Sequence, residues 1–399
     1  MIRLLAFCDD PAVPTGFGKV ADHVLRPLVE SGQYEVNLCA INYKGDSRDP
    51  ARHPYRYWAP YLSKQHDWYG INRCSELIQR IEPDMLWILN DLPIVRSYFR
   101  AASDALAQVP VVTYSPVDGD PFPATYLDGI RQATIPVVYT EYARGVVADM
   151  DEGLGDRLAV IPHGHDPSEF YPLDPDKAKA QEAARAGMGG IDPSWFIVLR
   201  VDKNQERKSW PATLRVFAAF AERHPEARLW CHTVFETENG YDLAALCEMY
   251  GIADKVLNSG LTKVRLGVPV EILNYIYNVA DVHLSTTSGG GWELSTHEAK
   301  AAGTPTIITD YAAMSEVGAV GGELIPYTYK YTAYRNTTEY AMIDEGAALD
   351  ALEKLYAMPG IRYARREAGL AWAESMTWQA NRVAERFDEL FREAIATHG

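Results

Sequence analysis

The stretch STTSGGGWELSTHEAKAAGTPTIITDYAAMSE, residues 285–316, reads as the end of a strand, a glycine loop, a helix, a glycine stop, a second strand and a loop. Gly289, Gly290 and Gly291 allow close approach of the backbone to a neighbour, and a loop that opens a helix presents N–H groups that favour an anion. A tight strand-to-helix turn is the plainer reading of the same glycines. Outward from this stretch the pattern recurs. WFIVLRV (195–201), ARLWCHTV (227–234), KVLNSG (255–260), DVHLSTT (281–287) and TPTIITD (304–310) read as strands, separated by helical patterns at 209–225, 242–251, 271–280 and 293–303. Short strands without in/out alternation, spaced by helices, predict a parallel sheet covered on both faces.

The N-terminal half has the same rhythm, with strands at 2–7, 34–41, 84–89, 109–115 and 134–140, helices near 18–31 and 71–81, and a last strand LAVIPHG at 158–164. Residues 165–194 are dense in Pro, Gly and Asp and read as a linker. The chain therefore divides into an N-terminal α/β domain over 1–170, a linker over 171–189 and a C-terminal α/β domain over 190–376. Helices near 345–357 and 361–375 end that domain. A final helix, 377–399, carries Trp378, Val383, Phe387, Leu390 and Phe391 on one face. Two doubly wound domains in series bind ligands beyond the carboxyl ends of their strands.

Composition narrows the function. The 399 residues include 38 basic and 54 acidic side chains, a net charge of −16, which argues against a sequence-blind nucleic-acid coat. Hydrophobic residues at 47% and charged residues at 23% fit a folded enzyme rather than a disordered chain. No apolar run of about 18 residues is present. MIRLLAFCDD reads as a buried strand rather than a secretory signal. Cys8, Cys39, Cys74, Cys231 and Cys247 are odd in number and scattered, so a reducing cytoplasm is expected, without a disulfide framework or a structural zinc site.

The 285–316 segment resembles the signature of the retaining family 4 glycosyltransferases of the GT-B fold, in which Glu-x(7)-Glu precedes alanines, a glycine, a strand and an acidic residue. Glu298, Ala299, Gly303, Thr304-Pro305 and Glu316 fall in register with it. The resemblance implies that Glu298 holds the ribose of a nucleotide-sugar donor. Gly290 stands where the family has its first glutamate, the contact to the donor sugar, and Glu293 stands where the family usually has glycine. We read Glu293 as its replacement, and complementation of the helix dipole alone as the alternative. In LRVDKNQERKSWPATLRVF (199–217), Arg200 matches the family's strand-end arginine, and Arg207-Lys208-Ser209 its Arg-Lys-Gly or Arg-Lys-Asn turn. The resemblance puts Arg200 and Lys208 on the donor diphosphate. Thr15-Gly16-Phe17-Gly18, between the first strand and helix, resembles the family's Gly-x-Gly turn facing the donor, which assigns Gly16 and Gly18 to donor binding. A dinucleotide fingerprint fails there, because Val20-Ala21 follow in place of a third glycine.

The resemblance covers most of 1–320. It implies two Rossmann-like domains facing across a cleft, a C-terminal helix crossing back to the first, and a nucleoside-diphosphate sugar as donor substrate with no other cofactor. Ser288, Gly289, Gly290 and Gly291 would add backbone donors, and Arg207 further charge. Asp118 of YSPVDGDPFP (114–123) would touch an acceptor hydroxyl; the Asp118-Gly-Asp120 pair reads otherwise as a turn, and as a metal site only in a single-domain architecture. His163-Gly-His165-Asp166 resembles a metal site by composition alone. In HPYRYWAPYLSKQHDWYG (53–70), Tyr57, Trp58 and Trp68 suit an acceptor sugar platform or ordinary packing. YTYKYTAYRNTTEY (327–340) would line one strand face with tyrosine, for a subunit contact or an acceptor. The expected activity is retaining, metal-independent sugar transfer to an acceptor the sequence leaves open: glycan, lipid, protein or modified nucleobase. A non-catalytic nucleotide-binding relative, a sugar-nucleotide epimerase and a phosphorylase are the alternatives.

Overall fold

The computed structural model describes residues 1–61, 67–260 and 267–398, apart from the side chains of 377–381. The chain forms two compact units: 1–117 with 122–164 and 379–399, and 118–121 with 165–378.

The first unit contains β1 (Ile2–Asp9), β2 (Tyr34–Ile41), β3 (Arg56–Trp58), β4 (Met85–Leu89), β5 (Val111–Ser115), β6 (Ile135–Val138) and β7 (Ala159–Val160). They make one parallel sheet in the order β3-β2-β1-β4-β5-β6-β7. Its helices are α1 (Gly16–Glu30), α2 (Cys74–Ile81), α3 (Leu92–Ala101), α4 (Ser103–Leu106), α5 (Asp128–Gln132), α6 (Glu141–Met150) and α7 (Glu152–Arg157). The central strands are buried on both faces, the physical reason their sequences do not alternate. The strand read at 158–164 is confined to Ala159–Val160, because Pro162 and Gly164 carry the chain out of the ladder.

The second unit opens with α8 (Lys177–Gly187) and continues through β8 (Phe196–Val201), α9 (Trp210–Arg223), β9 (Ala227–His232), α10 (Leu243–Met249), β10 (Val256–Asn258), α11 (Val270–Val279), β11 (Val282–Ser285), α12 (Leu294–Ala301), β12 (Thr306–Thr309), α13 (Ala313–Gly318) and β13 (Gly322–Ile325). The parallel order is β10-β9-β8-β11-β12-β13. A separate antiparallel hairpin, β14 (Tyr327–Thr332) with β15 (Glu339–Ile343), precedes α14 (Glu345–Ala357) and α15 (Pro359–Thr397).

Three further expectations change. The linker read at 171–189 contains α8: Asp176 caps it by accepting from the N–H groups of Ala178 and Lys179, and its alanine-rich sequence favours a helix over a flexible connection. The helices read at 361–375 and 377–397 are one continuous helix, α15, since no glycine or proline interrupts 370–397. The tyrosine-rich segment is one half of a hairpin and has a bulge between Tyr327 and Tyr329, so a simple period-two face is broken. At the end of α15, Val383, Phe387, Leu390 and Phe391 are buried in the first unit, with Phe387 5.5 Å from Trp87 and 5.0 Å from Tyr114 between ring centroids. The side chain of Trp378 lies outside the described residues.

Candidate active site

In a doubly wound sheet, ligands bind where neighbouring strands lead off in opposite directions, beyond the carboxyl ends. In the second unit that point lies between β8 and β11. The loops leaving these strands carry Asp202 to Ser209 and Thr286 to Glu293, so the topology brings together two stretches about eighty residues apart in sequence.

Their contact is a buried charge cluster. Lys208 Nζ lies 2.8 Å from Glu293 Oε2, 3.1 Å from Glu293 Oε1 and 3.0 Å from Asp202 Oδ1. Arg200 Nη2 donates to Asp202 Oδ2 at 2.8 Å. Burial pushes the Glu293 carboxyl up, but Lys208, Arg200 and Arg207 outweigh it and hold the group well below the usual carboxylate range. Asp202 goes the other way: burial raises it, Lys208 opposes that, and the charge on Glu293 adds to the rise. Glu293 therefore keeps the charge in this pair of carboxylates, and Asp202 is the easier of the two to protonate.

Two residues here hold left-handed backbone that favours glycine. Ser209 (φ 49°) ends the Arg207-Lys208 turn, and Glu293 (φ 90°, ψ 69°) precedes α12. Each stands where the resembled signature has a small residue or glycine, and each costs about 1–3 kcal/mol of backbone strain. The strain at Glu293 has a visible consequence. A β-carbon on Gly290 would lie 3.3 Å from Glu293 Oε2 and 3.6 Å from Arg207 Nη1, so the Glu293 carboxylate occupies the space a side chain at 290 would enter.

Arg200 is entirely buried. It donates to Leu284 O, Thr286 Oγ1, Thr287 Oγ1 and Lys208 O as well as Asp202, and so ties β8, β11 and the Lys208 turn together. Its Nε has no partner among the described residues, so Arg200 would meet a diphosphate oxygen through that N–H or by exchanging one of these partners. Arg207 is more open: Nη1 donates to Gly289 O at 2.9 Å, and Nε lies 3.7 Å from Asp118 Oδ2. Asp118 thus belongs with the second unit and with Arg207. Asp120 is held by its backbone, with its N–H donating to Tyr311 Oη and its carbonyl accepting from Lys330 Nζ. Among the described residues no group of three or more His, Cys, Asp or Glu is arranged to hold a metal ion.

The glycine loop is shaped by protein neighbours as well. A β-carbon on Gly289 would fall 2.2 Å from Tyr340 Cδ1 and 2.5 Å from Asp118 O, so this glycine is required by the hairpin packed on it. Ser288 Oγ donates to Arg207 O and meets Tyr331 Oη at 2.9 Å, and its carbonyl accepts from Ala341 N. The helix begins at Leu294, three residues after Gly291, so its free N–H groups follow Glu293 rather than Ser288–Gly291. The hairpin and Asp202 were not recognised in the sequence. Asp202 had a signal, an acidic residue directly after the Arg200 strand; the hairpin's contacts had none.

Glu298, on α12, is half-buried, and its Oε2 accepts from Tyr277 Oη at 2.7 Å. In the first unit the corresponding switch point lies between β1 and β4. Thr15 caps α1 by accepting from Gly18 N, and donates to Asp9 Oδ2 at 2.6 Å. Gly16 is exposed, whereas a β-carbon on Gly18 would fall 2.8 Å from both Asp10 O and Val13 O. The Tyr57 ring lies tilted against that of Tyr43 at 5.0 Å between centroids, and Trp58 Nε1 donates to Asn37 Oδ1, so both are engaged in the unit's own packing. Trp68 is 49% exposed and edges Tyr61; residues 62–66 of that segment lie outside the described residues. His163 and His165 fall in different units: His163 Nδ1 meets Tyr114 Oη at 2.8 Å, and the His165 ring lies 5.5 Å from that of His297.

No protein-family model matches the chain. Mannosylfructose-phosphate synthase of Agrobacterium fabrum is 28% identical over 158 residues, 38% of this chain and 32% of that protein. D-inositol 3-phosphate glycosyltransferase of Salinispora arenicola is 24% identical over 282 residues, 68% of this chain and 57% of that protein. The chain thus spans about a third and somewhat over half of the length of these curated relatives. Sucrose-phosphate synthase from Thermosynechococcus elongatus has a TM-score of 0.73 at 16% identity, covering 99% of this chain and 100% of its own. Anabaena HepE in complex with UDP-glucose has a TM-score of 0.72 at 13% identity, covering 98% and 100%. Two Rossmann-like units with these sheet orders are the GT-B fold, and the relatives' names together with the fold bear out the resemblance to GT-B glycosyltransferases.

Proposed function

We propose that the chain is a retaining family 4 glycosyltransferase that moves a sugar from a nucleoside-diphosphate donor to an acceptor. The observation that carries the proposal is the Lys208–Glu293 pair at the β8/β11 switch point, with the Glu293 carboxylate filling the space beside Gly290. The glutamate that the family signature has, and that this chain lacks at 290, is supplied from 293, which favours an active enzyme over a nucleotide-binding relative. The relatives support the donor class: HepE is solved with UDP-glucose, and the D-inositol 3-phosphate enzyme is a glycosyltransferase by name.

On this reading the donor lies across the second unit's switch point. Glu298 accepts from the ribose hydroxyls, and Glu293 accepts from sugar hydroxyls. Lys208 and Arg207 neutralise the departing diphosphate, and Arg200, held by the five partners named above, keeps them in place or joins them. Fixed cations in a dry site stabilise charge as it develops on the leaving group. The acceptor oxygen attacks the anomeric carbon from the side the diphosphate leaves. Its proton passes to a phosphate oxygen, so the C1–O(phosphate) bond breaks, a glycosidic bond forms with retained configuration, and no protein nucleophile or metal enters. Asp118 would orient the acceptor hydroxyl. A cytoplasmic setting suits a nucleotide-sugar donor.

The test is a screen of nucleotide sugars by thermal shift, in which a ligand at 100 times its dissociation constant adds about 2.7 kcal/mol. NMR of the product's anomeric proton then follows with the donor that stabilises. Donor hydrolysis or transfer with retention supports the proposal. Binding without turnover across glycan, lipid and protein acceptors would return the chain to the nucleotide-binding reading.

A further inference from the structure

The second unit holds a cavity of about 210 Å³, lined by Lys177 and Gln181 of α8, Asp281, Pro305, and Arg362 and Arg366 of α15. That is well above the ~10–15 Å³ that one water needs. Asp281 and Pro305 directly precede β11 and β12, so the cavity opens at the amino ends of the strands. Lys208 and Glu293 follow the carboxyl ends, at the opposite edge of the same sheet. The two places are therefore distinct.

The charge around the cavity is unbalanced. Asp281 is the one carboxylate in its lining, and it already accepts from Ile197 N at 2.9 Å and Gln181 Nε2 at 3.0 Å, with Arg185 at 3.7 Å. Against it stand Lys177, Arg185, Arg362 and Arg366; Glu367 pairs with Arg366 Nη1. Arg366 is 4% exposed, donates to Pro175 O through Nη2, and has no partner for its Nε among the described residues. Lys177 Nζ donates to Asn278 O and Thr304 Oγ1, two neutral acceptors. Burial pushes its amine down to about 7, and Arg366, Arg185 and Arg362 add to that while Asp281 opposes it. Two long helices also start here, with Lys177 and Pro359 as their first residues. Their amino ends carry partial positive charge. Crowded, desolvated cations around an open volume are relieved by an anion, and arginine forks suit phosphate oxygens.

We propose that this cavity is a second ligand site that takes a phosphate group, with Lys177, Arg362 and Arg366 as its binding residues. It is independent of the donor reading and stands or falls separately.

The test is calorimetry on the full chain carrying Lys208→Ala, which weakens anion binding at the proposed donor site, at a temperature where circular dichroism shows every variant used to be folded. Inorganic phosphate and glucose 6-phosphate are titrated in turn. Binding of either is expected to persist in Lys208→Ala and to weaken at least tenfold when Arg362→Met or Lys177→Met is added. Binding of both assigns a free-phosphate site, and binding of the sugar phosphate alone assigns an organic phosphate. Arg362 is half-buried at the rim, so its variant keeps the test readable if Lys177→Met fails to fold. No binding of either ligand, or binding unchanged in Arg362→Met, overturns the proposal.

Discussion

Lys208 Nζ sits between both carboxylate oxygens of Glu293, at 2.8 and 3.1 Å, in a site where both side chains are almost fully buried. The pair joins the loop after β8 to the loop after β11. Lys208 also reaches Asp202, whose other oxygen accepts from Arg200. Removing one partner of such a buried pair leaves uncompensated charge, which is far more costly than losing a surface contact.

Lys208→Ala should therefore affect both folding and turnover. We expect a loss of about 3–5 kcal/mol in stability and about 10²–10³ in kcat. Adding Asp202→Asn should restore part of the stability and none of the activity. Urea unfolding and steady-state kinetics on the single and double variants check this. A single variant as stable as the wild type would mean that the buried pair contributes nothing.

Glu293 and Gly290 should be exchangeable only together. Gly290→Glu alone drives a second carboxylate against Glu293 Oε2 and should abolish transfer. Glu293→Gly relieves the left-handed backbone but removes the carboxylate, so we expect transfer to fall at least tenfold with nucleotide binding kept. The double variant Gly290→Glu/Glu293→Gly should recover most of the activity. A double variant no better than Gly290→Glu would sink the replacement idea.

Glu298→Gln keeps its shape and loses charge assistance, worth about 1.5–3 kcal/mol for a hydrogen bond to a charged group. Nucleoside-diphosphate affinity should drop more than tenfold. Tyr277→Phe, which removes the donor to Glu298, should show a smaller loss in the same calorimetric titration. Equal affinity in all three proteins would leave Glu298 a packing residue.

Stability should fall in mild acid. Burial holds His163 and His283 down to about 3 and His232 to about 4. Each is neutral when folded and takes a proton when unfolded below its ordinary value of about 6.5. Their contribution is thus complete above that pH and is lost as pH falls toward 4, at up to about 1.4 kcal/mol per pH unit for each group. Neither ring nitrogen of His283 has a partner among the described residues, so His283→Leu removes the titration without breaking a hydrogen bond. Its melting temperature should depend less steeply on pH between 6.5 and 4 than that of the wild type; parallel curves would refute the assignment.

Turnover should survive excess chelator, because Lys208 and Arg207 supply the positive charge a metal would otherwise bring to the diphosphate. Loss of activity on chelation and its recovery with magnesium or manganese would redirect attention to Asp118 and Asp120.

Much of this was legible from residues. Unalternating strands read at 2–7, 34–41, 84–89 and 195–201 gave the parallel sheets, since burial on both faces leaves no polar phase in the sequence. Helix α8 was hidden because Pro172, Pro175 and the Gly189-Gly190 pair flank it closely enough to colour the whole window. The hairpin over Gly289 was hidden for a different reason: the close approach of Tyr340 is a contact between residues about fifty positions apart, and no local pattern encodes it.

By itself the sequence determined the two α/β units, the strands of their sheets apart from the edge strands β3 and β13, and the residue types gathered at 200–209 and 285–298. Periodicity and glycine placement are local properties, fixed by which side chains must leave water and which backbone angles each residue tolerates. Only the tertiary structure decided which charges meet. It buried Arg200 as a tie, left Arg207 the more open cation, set Lys208 between Asp202 and Glu293, and turned the Glu293 carboxylate into the space beside Gly290. Electrostatic partnership depends on distance and desolvation across strands about eighty residues apart, and those quantities exist only once the sheet has formed.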